Sequence, residues 1–272
     1  MVYINKKKNF FFDFTIITVV KNDEKNIENT IKSVLSQKNV KVQYIVLDGF
    51  SSDKTFSKIK KYKNSIKVIR YKDKSFYEGL NYSLKFAKVE FVGILNSGDL
   101  YFDENVLNSI NTIKVNNDFL FGDILYFNKK FDIVREWKLN FHPNKKLYFY
   151  YIPHTSLFLS LKLIRKSLKA YNLKYKISSD TELIIRLNLI KKIKFKKINK
   201  YLIFMKTGGL STNLKFILKK ILEDLIILKT FFKYSFLIFY FKKIFIKFKG
   251  FYILKNESNL KKKLLLTIKS LN

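Results

Sequence analysis

The chain of 272 residues contains no cysteine, which excludes disulfide bonds, thiol nucleophiles and cysteine-ligated zinc. It also has no uncharged apolar run approaching the roughly 20 residues that a membrane-spanning helix requires. The aromatic stretch before Asp13 is too short to be the apolar core of a secretory signal. We therefore expect a cytoplasmic protein.

Acidic residues are scarce, because 21 Asp and Glu oppose 54 Lys and Arg, which gives a formal net charge of +33. This excess predicts anionic partners, and nucleic acid, anionic lipid and phosphorylated substrates all qualify. Lys, Asn, Ile and Phe are all abundant, as codon bias in an AT-rich genome would produce, so charge alone discriminates weakly. The length suits one catalytic domain of about 200 residues with an appendage.

Strand and helix patterns alternate through the first part of the chain. Strands are predicted at 14–20, 42–47, 66–71 and 91–95, with helices between them, which indicates a mostly parallel sheet with right-handed crossovers. After about residue 117, extended segments at 119–127 and 133–137 predict antiparallel strands added to that sheet. Helices are expected at 161–168 and 179–190, and a last strand at about 201–206.

Beyond residue 212 the pattern changes to lysine and aromatic residues at helical spacing. We therefore divide the chain into a catalytic domain, 1–212, and a basic, aromatic-rich helical tail, 213–272. Interfacial amphipathic helices combine aromatics with lysines in this way, which predicts attachment to an anionic membrane surface. The alternative is a pair of helices that packs its aromatics on the catalytic domain or in a dimer.

Three aspartates stand where predicted strands or helices end or begin. Asp48 follows the strand 42–47, Asp99 ends Asn96-Ser97-Gly98-Asp99, and Asp180 opens the helix 179–190. Open α/β sheets bind ligands at the carboxyl ends of their strands. Each aspartate taken alone also fits a turn or a helix cap, and Ser179-x-x-Glu182 has the spacing of a capping box, which is our interpretation of Glu182.

The motifs taken together resemble the inverting glycosyltransferases of family 2, which have the GT-A fold. The resemblance covers roughly 14–212 and rests on blocks that occur in the family's order. They are Ile16-Ile17-Thr18-Val19-Val20-Lys21-Asn22-Asp23-Glu24, Ser33-Val34-Leu35-Ser36-Gln37, Leu47-Asp48-Gly49-Phe50-Ser51-Ser52-Asp53, Phe76-Tyr77-Glu78-Gly79-Leu80-Asn81, Leu95-Asn96-Ser97-Gly98-Asp99, Pro153-His154-Thr155, Ser179-Asp180-Thr181-Glu182-Leu183 and Gly208-Gly209-Leu210-Ser211.

The resemblance implies a role for each matching position. Asp48 accepts a hydrogen bond from the nucleobase, Asp99 holds Mg²⁺ or Mn²⁺ on the diphosphate, and Asp180 takes the proton of the acceptor hydroxyl. His154 is expected to contact the acceptor or a phosphate, or to serve a structural role. The nucleotide-sugar contacts are completed by Val19, Val20, Asn22, Glu24, Asn81 and Asn96.

Two positions depart from the family pattern. The metal motif keeps one carboxylate, Asp99, where many relatives have two, although Mg²⁺ needs only one or two carboxylates besides phosphate. Leu80 stands where many relatives carry an arginine before Asn81, so a cationic contact to the diphosphate is missing. Lys72 and Lys74 are the candidates to replace it.

The expected function is transfer of a sugar, with inversion, from a nucleotide-sugar donor to a glycan or lipid-linked acceptor in surface polysaccharide synthesis. A UDP-sugar is the favoured donor, and the expected location is the inner face of the cell membrane. Nucleic acid is not an expected partner. The alternatives are a basic nucleic-acid-binding module, an inactive relative, and a nucleotidyltransferase, which would need glycine in the loop Val19-Val20-Lys21-Asn22.

Overall fold

The computed structural model describes residues 2–3, 12–72, 74–138, 152–166, 170–190, 192–208, 214–252 and 257–271. The strands are β1 Val2–Tyr3, β2 Phe14–Val20, β3 Val42–Asp48, β4 Lys67–Arg70, β5 Phe91–Ile94, β6 Leu100–Tyr101, β7 Phe119–Phe127, β8 Ile133–Trp137, β9 Leu157–Ser160 and β10 Phe195–Lys206. The helices are α1 Ile27–Leu35, α2 Thr55–Lys60, α3 Phe76–Leu84, α4 Val106–Asn111, α5 Leu161–Lys166, α6 Ser179–Asn188, α7 Leu214–Phe232, α8 Phe236–Tyr252 and α9 Glu257–Ser270.

The strands form one sheet in the order β1-β4-β3-β2-β5-β9-β7-β10-β6, with β8 paired to β7. Strands β4, β3, β2 and β5 are mutually parallel, whereas β9 and β8 run antiparallel to their neighbours. Every residue of β2 is buried, which is typical of a central parallel strand and agrees with its uninterrupted apolar and threonine sequence. The predicted GT-A class of mixed sheet, with its antiparallel additions and helical tail, is thus present.

The strands and helices differ from the predicted bounds in informative places. Helix α1 begins at Ile27 because Asn22 has a left-handed backbone (φ 54°) and the following residues form a turn. Strand β10 starts at Phe195, earlier than expected, because it pairs in parallel with the whole of β7. The lysines in the first half of β10 interrupt its hydrophobic pattern, so the pattern did not predict a strand there. The short strands β1 and β6 were not predicted.

The tail consists of helices throughout its described part, as expected. Ile227 and Leu228 of α7 are fully buried in the same core as the catalytic sheet. Leu264 of α9 joins a second cluster with Phe127 and Phe204. No helix in the described part of the chain combines the length and apolarity needed to cross a membrane. The domain boundary near 212 stays a prediction.

Candidate active site

The carboxyl ends of β2, β3 and β5 lie side by side and carry the candidate site. Val20 at the end of β2 is paired with Asp48 at the end of β3. The loops that follow are joined by hydrogen bonds, from the Asn22 N–H to Ser51 Oγ (2.9 Å) and from Ser97 Oγ to Asp23 Oδ2 (2.6 Å). The loops after three separate strands therefore meet at one edge of the sheet.

Asp48 is fully buried at this edge. Both of its carboxylate oxygens accept from the Ser51 N–H, at 3.3 and 3.2 Å, so the turn expected for an isolated aspartate is present. Arg70 Nε lies 3.3 Å from Asp48 Oδ2, and its guanidinium stacks on the rings of Phe50 and Phe56. The carboxylate thus lies beside a fixed cation and an aromatic ring, Phe50, that is half exposed.

The loop after β2 is held by its own polar side chains. Asn22 Oδ1 accepts from the Ser52 N–H (2.8 Å), and Glu24 Oε2 accepts from the Lys54 N–H (2.9 Å). Val19 and Val20 are buried in the strand immediately before the loop. These contacts fix the backbone that the resemblance places beneath the nucleotide, and the binding roles of the four residues stay predictions.

Asp99 lies in a tight turn after β5, anchored by α1. Thr30 Oγ1 accepts from the Gly98 N–H (2.9 Å) and donates to the Asp99 carbonyl (3.0 Å), while Gly98 has a φ of 93°. Asp99 Oδ1 accepts from the Lys206 N–H (2.9 Å), and buried Oδ2 has no hydrogen-bond partner among the described residues. Burial raises the pKa of the Asp99 carboxyl to about 8, and the nearby Asp23 carboxylate also raises it.

Asp180 lies in the first turn of α6, among polar groups from three other segments. Its Oδ1 accepts from the Tyr77 hydroxyl (3.1 Å) and the Thr181 N–H (2.8 Å), and its Oδ2 lies 3.1 Å from His154 Nδ1. Burial raises the pKa of Asp180, but the His154 hydrogen bond and the charges of Lys220 and Lys243 outweigh burial and hold the pKa well below its usual range. The side chain keeps 21% exposure, so an ionised carboxylate faces solvent.

Tyr126 on β7 connects the two aspartates electrostatically. Burial raises its pKa to about 12, and the charges of both Asp99 and Asp180 add to the rise, while Arg135 opposes it. The loop after β2 contacts both the turn that follows Asp48 and the turn that carries Asp99. The convergence of all three aspartates on one cleft stays a prediction.

Asn81, Asn96 and Leu80 occupy different surroundings. The Asn81 amide donates to the Tyr171 carbonyl (2.8 Å) and accepts from the Tyr171 N–H (2.9 Å), which is a structural arrangement. Asn96 Oδ1 is buried beside Asp99 without a partner among the described residues. Leu80 is fully buried in the core, so a cation for the diphosphate must come from elsewhere.

The capping-box interpretation of Glu182 is wrong. The helix makes no side-chain cap at Ser178, and the Glu182 carboxylate instead binds Arg186 one turn later, with its Oε1 3.0 Å from Nε. Arg186 in turn donates to the Ala170 carbonyl, which fixes the segment before α6. The motif that includes Gly209, Leu210 and Ser211 lies outside the described residues.

Sequence reasoning missed several residues that contact the predicted site. Asp23 lies against the Asp99 turn, Tyr77 donates to Asp180, and Lys206 reaches Asn26 Oδ1 with its ammonium group while its N–H binds Asp99. Arg70 pairs with Asp48. Asp23 and Tyr77 lie inside quoted motifs, so a signal existed. Arg70 and Lys206 end strands of a lysine-rich chain, where nothing in the sequence distinguishes them.

Comparison with known proteins decides the family. The sequence model described as "Glycosyl transferase family 2" matches residues 15–226. The chain belongs to this family. No curated protein sequence matches it. Among solved structures, TarS 1–349 of S. aureus in complex with UDP has a TM-score of 0.59 at 17% identity, covering 79% of this chain and 65% of that one.

Two further structures extend the comparison. TarS 1–349 with UDP-GlcNAc gives a TM-score of 0.58 at 19% identity, over 72% of this chain and 59% of TarS. The mannosyltransferase PcManGT of Pyrobaculum calidifontis, bound to GDP-Man and Mn²⁺, gives 0.57 at 14% identity, over 80% of this chain and 63% of that chain. The chain thus spans less than two thirds of these structures, and the likeness confirms the GT-A fold.

Proposed function

We propose that this family 2 protein is a glycosyltransferase that moves a sugar from a nucleoside-diphosphate donor to a hydroxyl of a glycan or lipid-linked acceptor, with inversion. Asp180 is the proposed base, because its carboxylate is ionised, keeps 21% exposure and contacts His154. Oδ2 accepts from one His154 nitrogen and retains lone-pair capacity for an incoming hydroxyl. That hydroxyl loses its proton to Asp180 while its oxygen attacks the anomeric carbon and the diphosphate leaves.

The donor is proposed to lie along the edge from Asp48 to Asp99. Asp48 and the half-exposed Phe50 ring suit a nucleobase, since one accepts hydrogen bonds and the other offers a stacking face. The Lys206 side chain lies beside Gly98 in the Asp99 turn, and its ammonium group is the proposed cation for the diphosphate in place of Lys72 or Lys74. TarS binds UDP and UDP-GlcNAc, which supports a UDP-sugar, whereas PcManGT binds GDP-Man.

The residues of the Asp99 turn suit a divalent cation. No group of three or more His, Asp or Glu side chains within the described ranges forms a ready-made metal site. Asp99 Oδ2 and Asn96 Oδ1 are nevertheless buried without described partners, and Asp23 adds a carboxylate. Hard oxygen ligands of this kind, completed by water and phosphate, suit Mg²⁺ or Mn²⁺. Bound there, the cation would neutralise charge on the diphosphate.

The tail is proposed to hold the enzyme on the anionic inner face of the cell membrane. Residues of α7, of α8 and of the 3₁₀ turn Lys233–Ser235 between them expose large apolar side chains, and lysines accompany them. The exposed set comprises Phe216, Ile217, Leu218, Leu222, Ile226, Tyr234, Leu237, Ile238, Phe241 and Phe245. Burying such a face in the headgroup region, with lysines toward anionic lipid, would support a lipid-linked acceptor.

The Asp180→Asn variant tests the proposed chemistry. With UDP-GlcNAc or GDP-mannose and Mn²⁺, we expect nucleoside diphosphate release to fall by at least about 100-fold, because an amide cannot accept the proton. Thermal stabilisation by the nucleotide should persist, since Asp180 is not in the proposed donor contacts. Asp103→Asn, a carboxylate outside the cleft, is the control. Turnover near that of the unmodified enzyme would remove Asp180 from the role of base.

A further inference from the structure

Helix α7 is hydrogen-bonded to the segment 176–178, which immediately precedes the proposed base Asp180. Glu223 is buried in α7, and its carboxylate accepts from three consecutive backbone N–H groups. Oε1 accepts from Lys176 (3.0 Å), and Oε2 accepts from Ile177 (2.8 Å) and Ser178 (2.9 Å). Hydrogen bonds to an ionised acceptor are about twice as strong as neutral ones. This segment leads directly into Asp180.

The Glu223 carboxylate satisfies three backbone N–H groups immediately before α6. Buried N–H groups without partners are costly, and those of Lys176, Ile177 and Ser178 are all bound to this one side chain. On the carbonyl side of Ile177, the Tyr77 hydroxyl lies 2.8 Å from the Ile177 carbonyl oxygen and 3.1 Å from Asp180 Oδ1, and its one proton is shared between these two acceptors. Ile177 is therefore held through its N–H by Glu223 and through its carbonyl by the residue that also binds Asp180.

Charged side chains of α7 and α8 make further contacts with the residues around Asp180. Lys243 Nζ lies 2.9 Å from Asp224 Oδ2 and 3.3 Å from Thr181 Oγ1, all in buried surroundings. Lys220 Nζ lies 3.3 Å from Ser178 Oγ and 3.6 Å from Asp224 Oδ2. The tail helices thus contact the residues on both sides of Asp180, at 176–178 and at 181.

We propose that Glu223 is a positioning residue, whose triple hydrogen bond sets the place of Asp180 relative to His154 and the cleft. This inference rests on the proposed function, in which Asp180 is the base. It assigns to the tail a part in building the active site, separate from any role at a membrane. A misplacement of about 1 Å in a reacting group can cost about 100-fold in rate.

The Asp180–His154 contact offers a readout that needs no substrate. The chain has 2 histidines, so selective ¹⁵N-histidine labelling of the full chain gives ring-nitrogen signals from two residues. The signals that remain in a His142→Gln variant belong to His154. In Asp180→Asn the His154 ring nitrogens should shift, because Nδ1 loses its carboxylate partner. We expect Glu223→Gln, whose amide cannot accept on both atoms, to move the His154 signals at least halfway toward those of Asp180→Asn.

Glu257→Gln is the matched control, an exposed carboxylate of the same tail that should leave the His154 signals unchanged. Glu223→Asp keeps the charge with a shorter reach and should give intermediate shifts, and it decides the question if Glu223→Gln does not fold. Unmoved His154 signals in a folded Glu223 variant would overturn the positioning role.

Kinetics separate this proposal from the proposed function. In the donor assay, Glu223→Gln should lower kcat about 10- to 100-fold with the donor KM within about twofold, and Glu223→Asp should recover part of the loss. If Asp180→Asn turns over normally, the assignment of the base fails, whatever Glu223 does. If Asp180→Asn is inactive while a folded Glu223→Gln keeps full kcat and native His154 signals, the positioning proposal alone fails.

Discussion

At the scale of single residues, Asp99 is held in surroundings that favour its neutral form. Burial raises the pKa of its carboxyl in the folded state to about 8, well above the ordinary value of an aspartic acid. The folded state therefore binds a proton more tightly than the unfolded chain. Between about pH 4 and pH 8 the free energy of unfolding should fall as the pH rises, because the unfolded state releases that proton first.

Asp99→Asn should remove this pH dependence. In EDTA, we expect the variant to gain stability relative to the unmodified protein as the pH rises from 5 to 8.5. A gain of about 2–4 °C in Tm corresponds to ~1 kcal/mol in a chain of this size. Thermal unfolding monitored by circular dichroism at both pH values measures the difference. Exposed Glu90→Gln is the control, and an Asp99→Asn variant with unchanged or lower relative Tm at pH 8.5 would contradict the assignment.

The same argument gives a reason for a cation at this turn. A divalent ion on Asp99 Oδ2 would replace the proton and offset the cost of the buried charge, so metal binding should strengthen as the pH rises. The Asp99 carboxylate, with the Asn96 oxygen and the Asp23 carboxylate nearby, would be a modest cation site that depends on diphosphate for the remaining ligands.

At the scale of secondary-structure elements, the pairing of β7 with β10 depends on a close approach at Gly122. An added Cβ would lie 2.5 Å from Leu202 Cγ and 3.0 Å from the Lys200 carbonyl oxygen. The pairing shifts register between Ile198 and Ile203, opposite this glycine. Strand β10 ends at Lys206, whose N–H binds Asp99, so this pairing also positions the Asp99 turn.

Gly122→Ala should therefore destabilise the protein by about 1–3 kcal/mol, the usual cost of overpacking a core. Urea denaturation measures it. The double variant Gly122→Ala with Leu202→Ala is the control, because removing the Leu202 side chain makes room for the methyl group. We expect the double variant to lose less than the sum of the two single variants. Strictly additive losses would show that the close approach is not the cause.

Helices α7 and α8 bury one side and expose the other. The buried side includes Ile227, Leu228, Glu223 and the Asp224–Lys243 pair. The two sides agree with the two hypotheses for the tail, packing on the rest of the chain and attachment to a membrane. The buried side packs on the rest of the chain, and the other side presents apolar residues outward. Removing 213–272 would take away core residues and the Glu223 hydrogen bonds to the segment before Asp180. Substitutions of exposed residues are therefore the cleaner test of membrane binding.

At the scale of the whole molecule, the combination Leu218→Ser, Phe241→Ser and Phe245→Ser tests attachment. These side chains are exposed by 73%, 62% and 69%, so stability should change little. Cosedimentation with vesicles containing anionic lipid should fall severalfold, because each change removes apolar surface available to the headgroup region. Val115→Ser and Leu189→Ser, also well exposed but outside the tail, form the matched control. Equal binding by both variants would refute attachment through α7 and α8.

Much of the architecture follows from local pattern. The strands 14–20, 119–127 and 133–137 match the structure because apolar period and length suffice for buried strands and a hairpin. The family was identifiable because its motifs lie at strand ends in a fixed order. The early part of β10 was missed because lysines alternate there with apolar residues in a chain rich in lysine throughout.

The sequence by itself determined the family, the sheet's main strands and which three aspartates stand at the ends of strands or helices, since these depend on residue type and spacing along the chain. Only the tertiary structure decided what surrounds those aspartates. Arg70 beside Asp48, the buried oxygen of Asp99, His154 and Tyr77 on Asp180, and Glu223 beneath it are contacts between segments far apart in sequence. Their burial and charge set the pKa values and positions on which the chemistry depends, and no local pattern encodes them.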